Sequence, residues 1–304
     1  VSQRACFEIR YKRWKMKRII LLVLAGSISL VAQEQKLSLL EQIAQPKVTF
    51  QSDFLSDAKF EGYEGSVKTY KQKIQINNEM FGFSYSRWDF DWNDESDLPF
   101  YRGKTPIDSM NRIKLYANWP LRINNEWFML NSVNVNATYE DQMSDSYGAG
   151  ITSFFSYKLD EDHSIQIGAF ANYHSVKTLA LPVIGYSYRA RETDGLKMVI
   201  GFPRAYIGYQ LNPEILINAG MVYSQAVIRL ADESGIEPEG YSEAKDFQAN
   251  LGFRYEINKH FELSADLLYA FKRDFTVYDR NADEVDSYSI EPSFGGIIKL
   301  KYLF

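Results

Sequence analysis

The sequence predicts an all-β fold, a single antiparallel transmembrane β-barrel of 12 to 14 strands with short turns at one end and longer loops at the other. Three observations carry that prediction. Segments of strict apolar–polar alternation recur from about residue 65 to the end of the chain, many of them 12 or more residues long, against a usual strand of roughly five or six. The breaks between them alternate between tight and long, as barrel turns and loops do. The 304 residues include 46 Phe, Tyr and Trp, side chains suited to a membrane–water boundary.

The first element is a leader. Met16 begins MKRIILLVLAGSISLVAQEQ: two cations, an apolar run over Ile19–Leu24 and small residues up to Ala32, the layout of an export signal. The apolar stretch is too short and too interrupted to span a bilayer as a helix. Residues 16–32 are therefore expected to be a cleaved signal peptide. Residues 1–15 fit no part of that plan and are expected to be an extension from a misplaced start. With residues 1–32 removed, 27 cations (34 less 7) face 38 anions (39 less 1), and Cys6, the single cysteine, is lost. No disulfide framework or thiolate metal site is then expected. The acidic balance argues against a nucleic-acid partner. Residues 33–46 form a short segment in which KLSLLEQIAQ (Lys36–Gln45) can make a helix ended by Pro46. The barrel is expected over 47–304.

The strands are read by their alternation. Val48–Leu55 is the first if the count is 14; without the N-terminal pair it is 12. Near the middle, Val133, Val135, Ala137 and Tyr139 oppose Ser132, Asn134, Asn136 and Thr138. Further on, Ile165, Ile167 and Tyr173 alternate with Gln166, Gly168, Asn172 and His174. In the last third, Phe247, Leu251, Phe253 and Tyr255 share a face opposite Gln248, Asn250, Arg254 and Glu256. Phe261, Leu263, Leu267 and Tyr269 likewise oppose Glu262, Ser264 and Asp266. The final strand carries Ile298, Leu300, Tyr302 and Phe304 on one face and Lys299 and Lys301 on the other.

Counting back from Phe304 sets the parity of the breaks. Tight turns are predicted at Asn258–Lys259, Asn212–Pro213, Thr193–Asp194, Asp160–Asp162, Asn124–Asn125 and Asn77–Asn78, all rich in turn formers; these would be periplasmic. Long loops are predicted near 276–286, 231–242, 140–146, 89–109 and 55–65, on the extracellular side. The scheme needs Gly201-Phe202-Pro203 and Ser175–Thr178 to close short hairpins. Pro182 and Pro292, which lack a ladder donor, call for a strand end or a bulge.

An alternating last strand ending in Phe resembles the carboxyl-terminal signature of bacterial outer-membrane barrels. That resemblance makes Ile298, Leu300, Tyr302 and Phe304 an export signal read by the barrel-assembly machinery. The stretch ALPVIGYSYRARETDGLKMVIGFPRAYIGYQLNPEILINAG resembles a family of Gram-negative outer-membrane β-barrel proteins of unknown function. The matching positions are Pro182, Gly185, Gly201, Pro203 and Asn212. The resemblance implies a barrel in the bacterial outer membrane, in contact with its lipids. It implies no activity.

Residues with chemistry are few. His163 and His260 fall at predicted turns. His174 points inward near the loop end of its strand, but Ser175 follows it and is expected on the opposite face, which argues against a Ser–His pair. The acidic run Asp89, Asp91, Asp94, Glu95 and Asp97, interleaved with Trp88, Phe90 and Trp92, reads as a solvated loop above an aromatic belt. Its spacing matches no calcium loop, and no cofactor or metal is expected. The inward charges Arg254, Glu256, Glu262, Asp266, Lys272, Lys299 and Lys301 are the candidate functional set. They suit a passive channel or small-solute transporter. The alternative is a structural barrel whose lumen is filled and whose charges pair across strands. A lipid- or peptide-cleaving barrel around His174 is the enzymatic alternative, and a soluble periplasmic β-sandwich or adhesin the non-membrane one.

Overall fold

The computed structural model describes residues 46–190 and 195–304. The expected extension, the signal peptide, all but the last residue of the 33–46 segment, and the Thr193–Asp194 turn lie outside them. The described chain is a succession of antiparallel strands: β1 (Lys47–Lys59), β2 (Ser66–Asn77), β3 (Phe81–Asn93), β4 (Ser109–Arg122), β5 (Trp127–Tyr139), β6 (Tyr147–Lys158), β7 (His163–His174) and β8 (Thr178–Arg189). They continue as β9 (Gly195–Phe202), β10 (Arg204–Gln210), β11 (Ile215–Arg229), β12 (Tyr241–Glu256), β13 (Phe261–Tyr278), β14 (Glu284–Ile290) and β15 (Ser293–Leu303). Each pairs with the next as far as β13. The ring closes where β13 pairs with β15 and β15 with β1, Lys47 opposite Leu303.

Fifteen ladder segments make a 14-stave barrel because β14 and β15 lie end to end against β13, on Arg273–Tyr278 and Phe261–Ala270 respectively. Pro292 sits in the break between them, where the missing N–H is tolerated. Closure rules out the sandwich, whose sheets keep their edges.

The tight turns share one device. The side-chain oxygens of Asn78, Asn124, Asp160, Asn212 and Asn258 each accept backbone N–H groups two and three residues on, at 2.7–3.0 Å. A single residue thus replaces two ladder bonds where the chain reverses.

The outer surface is that of a membrane barrel. Ile167, Ile184, Leu251, Leu267 and Ile298 are each more than half exposed, with no protein layer outside them. Near the loop end, an outer string of rings runs Phe202–Tyr223–Phe247–Phe271–Tyr269–Phe294, with successive centroids 4.7–6.3 Å apart. Near the turn end, Trp127 meets Tyr157, His163 meets Tyr188, and Tyr302 meets both Phe261 and Phe304. Ten residues separate Phe294 from Phe304; at ~3.3 Å per residue and a tilt near 40° this is roughly 25 Å, the height of a barrel's apolar band.

Several loop boundaries differ from expectation. β1 runs to Lys59 and β3 to Asn93, and the predicted 276–286 loop is strand except for 279–283. In β1 a bulge between Leu55 and Ala58, and in β13 one opposite Asp246/Phe247, shift the phase by a residue. β3 keeps its phase, and its apolar side chains move from the outer face to the inner one.

β9 and β10 are short. β8 pairs with β9 only from Ile184 downward, and β10 with β11 only up to Arg204–Val222. Thr178–Val183 of β8 and Ser224–Ile228 of β11 therefore have a strand neighbour on one edge only, apart from the bridge at the top of β11 described below. Pro182 falls in this stretch, which is where a residue without a donor fits. The gap lies on the loop side of the Phe202–Tyr223 pair; unpaired backbone is tolerated there only if it lies outside the hydrocarbon.

Candidate functional site: the lumen

Charged side chains of β12, β13 and β15 largely pair with one another on one wall. Lys301 Nζ lies 2.8 Å from Glu262, Arg254 Nε 3.8 Å from the same carboxylate, and Lys299 Nζ 3.5 Å from Asp266. Asp266 also accepts from Asn250 Nδ2 at 2.9 Å and Asn218 Nδ2 at 3.2 Å. Strand register brings these together: Glu262 is opposite Lys301, Ser264 opposite Lys299 and Arg254. Glu256 stays exposed near the turn-end rim. Lys272 does not belong to the set. It is the extra residue of the β13 bulge, with φ 51°, and its ammonium lies over the outward ring of Phe247 at 6.0 Å.

Sequence reasoning missed the opposite wall. By alternation Lys71 and Lys73 on β2 and Arg112 and Lys114 on β4 also face inward. Lys71 pairs with Asp53 at 2.7 Å. Arg112 donates from Nε to Thr138 Oγ1 at 2.8 Å and lies 5.4 Å from the centre of the Trp88 ring. Among the described residues no carboxylate stands within ion-pair distance of Arg112 or Lys114. The signal was present as Lys-x-Lys in TYKQKI and Arg-x-Lys in NRIKLY.

The loop end is closed by an apolar plug. Trp88, Phe90 and Trp92 alternate inward on β3 while Asp89 and Asp91 face out, so the expected acidic loop is a strand with an aromatic inner face. Phe60, Leu98, Phe100, Ile107, Leu230, Ile236 and Phe275 pack with Phe90 and Trp92 into one buried cluster. Phe60 is 1% exposed, its ring 5.1 Å from Phe100 and 6.2 Å from Phe275. Residues from the 94–108 and 230–240 loops thus fold into the mouth.

A second contact roofs the other side. The top of β11 bridges to β5, Arg229 opposite Tyr139, and Ala231 N–H donates to Glu140 at 2.8 Å. Burial pushes the Glu140 carboxyl above its ordinary value. The β7–β8 turn docks alongside: Lys177 reaches Glu243 at 3.2 Å, and Val176 packs against Val227, Tyr241 and Tyr278.

Below these covers, cavities follow one another down the barrel. About 240 Å³ lies under the plug, about 600 Å³ between β4–β8 and β11, about 460 Å³ along β10–β13, and about 560 Å³ at the turn-end mouth. Successive members share lining residues: Arg112 and Gln248, then Gln248 and Val222, then Tyr206 and Arg254. Above the mouth their walls carry Lys71, Arg112, Lys114, Arg204, Arg254, Arg273 and Lys299 against Asp53, Asp246, Glu262 and Asp266.

His163 and His260 lie at turns as expected, beside Tyr186 and Tyr302. His174 faces inward at the loop end and is 4% exposed. Ser175 is not opposed to it: the strand ends at His174, the turn no longer alternates, and Ser175 Oγ lies 3.4 Å from His174 Nδ1. That contact is long for a hydrogen bond, and Nε2 has no partner, so no carboxylate orients the ring as hydrolysis would require. Among the described residues no group of three His, Cys, Asp or Glu is placed to hold a metal ion.

No family model and no curated protein matches this sequence. Among solved structures it is similar in shape to the KdgM porin, at 9% identity and TM-score 0.37 over 85% of this chain and 99% of that one. It is similar to the NanC porin at 8% and 0.41 over 84% and 98%. An outer-membrane channel from Pseudomonas putida F1 gives 9% and 0.43 over 86% and 94%. These are likenesses between barrels, and the fold assigned to this chain, a closed antiparallel barrel of 14 staves, rests on its own strand ladder.

Proposed function

We propose that this protein is a passive channel for small anionic solutes in a bacterial outer membrane, with the tight turns on the periplasmic side. The observation that carries the reading is the run of adjoining cavities above the turn-end mouth, whose walls hold seven cations against four carboxylates. A low-dielectric wall of one sign raises the local concentration of the opposite ion. The excess is internal, since the whole chain carries a net charge of −5. Passage at the loop end uses either movement of the plug loops or the gap between β8 and β11. In a planar bilayer with a salt gradient, refolded protein should give conductance steps and a reversal potential of anion-selective sign. A cation-selective potential would sink the anion reading.

The alternative is a filled structural barrel, favoured by the aromatic plug and the self-paired wall. Complete absence of conductance from protein that shows the heat-dependent gel mobility of a folded barrel would decide for it.

A further inference from the structure

The cavity of about 600 Å³ between β4–β8 and β11 has the size of a small-molecule site, and its walls are specialised. Arg112 and Lys114 line it, and no acidic residue does. Two inward cations without a carboxylate partner favour an anion in the chamber, although Arg112 also donates to Thr138 Oγ1. Beside them, on β5 and β7, stand the amides of Asn134, Asn136 and Asn172, with Asn136 directly across the strand ladder from Lys114. Apart from one long contact between Asn136 and Asn134 at 3.4 Å, these amides make no side-chain hydrogen bond among the described residues, so their donors and acceptors are available.

The backbone has been cut away to seat them. A Cβ on Gly150 would come within 2.4 Å of Asn134 Nδ2 and 3.2 Å of Asn172 Oδ1, and one on Gly148 within 3.2 Å of Asn136 Oδ1. Phe154 and Phe170 add two aromatic faces to the lining, and His174, buried with Nε2 unpartnered, completes it. Cations without acids, amides that both donate and accept, and rings that pack against C–H surfaces define a ligand with a carboxylate, several hydroxyls and an apolar face.

We infer that this chamber is a binding site for a small polyhydroxylated carboxylate, a sugar acid, held by Arg112 and Lys114 at its charge and by Asn134, Asn136 and Asn172 at its hydroxyls. The inference rests on the anion-accepting lumen proposed above but does not require flux. The test is titration of refolded protein with D-glucuronate, D-glucose and acetate by calorimetry. Glucuronate should bind saturably, with glucose and acetate each at least tenfold weaker. Arg112→Met and Lys114→Met should each weaken glucuronate at least tenfold while keeping the folded barrel's gel mobility. Lys272→Ala on the outer surface should leave binding unchanged. If either cation variant fails to fold, Asn172→Leu carries the same test with a fivefold loss expected. Absence of saturable glucuronate binding, equal binding of acetate, or undiminished binding in the folded variants would overturn the site. Glucuronate binding with these dependencies, in protein that conducts no current, would uphold the site and remove only the channel.

Discussion

On the β12–β13–β15 wall of the lumen, Lys301 meets Glu262 and Lys299 meets Asp266; on the β4–β7 wall, Arg112 and Lys114 meet no carboxylate. Both walls obey the same period-two rule, the paired charges lying toward the turn end and Arg112 toward the loop end. They differ in what lies one strand away. Where acid and base fall opposite each other in register, the wall satisfies itself, and asparagines from β11 and β12 complete the carboxylate's bonds. Where cations face amides and glycines, the charge is left for water or solute. An alternating barrel can therefore hold a structural wall and a receptive wall together, and inward charge alone does not tell them apart.

The comparison can be broken at several points. The largest effect is expected at the plug that shields both walls. Phe60→Ala should cost about 3 kcal/mol, the usual loss for a fully buried Phe, in denaturant unfolding. It should also raise single-channel conductance; unchanged conductance would mean that the plug is not the constriction. Next comes the self-paired wall. Asp266→Ala leaves Lys299 and two amides without their acceptor and should cost about 2–3 kcal/mol. A loss below about 0.5 kcal/mol would make that wall ornamental to stability.

The receptive wall should behave oppositely. Arg112→Met should change stability by less than about 1 kcal/mol, because no ion pair is broken. It should shift the reversal potential toward cations, so a large stability loss with unchanged selectivity would reverse the assignment of the two walls. The smallest effect concerns the roof. Burial raises the Glu140 carboxyl above its unfolded value, so the folded form holds its proton more tightly. Its contribution to stability should therefore rise as pH falls from neutral through that raised value, and be absent in Glu140→Gln. The difference between the two proteins in midpoint denaturant against pH checks the sign.

Much of the fold was legible because its signals are local. Alternation needs only neighbouring residues, and so do the four asparagines and Asp160 that each accept two N–H groups at five of the tight turns. Parity required an even number and left 12 or 14 open, and ring closure makes it 14. Pro203 and Pro292 fall at interruptions between strands. The candidate site was legible by halves. Glu262, Asp266, Lys299 and Lys301 lie in stretches of β13 and β15 that alternate without a bulge, so their shared face could be read from the sequence. Lys272 was misplaced because a bulge leaves no mark in the period, and Trp88, Phe90 and Trp92 because their Asp neighbours looked like a loop.

By itself, then, the sequence determined the class of fold, the strand order and, between bulges, which residues share a face, since a strand's side chains alternate until a bulge intervenes. The tertiary structure alone decided which faces meet. The plug, the β5–β11 roof, the gap above Phe202–Pro203 and the chamber at Arg112 and Lys114 all depend on residues far apart in the chain. Their register is set by ring closure and by two bulges, and these exist only once the barrel has formed.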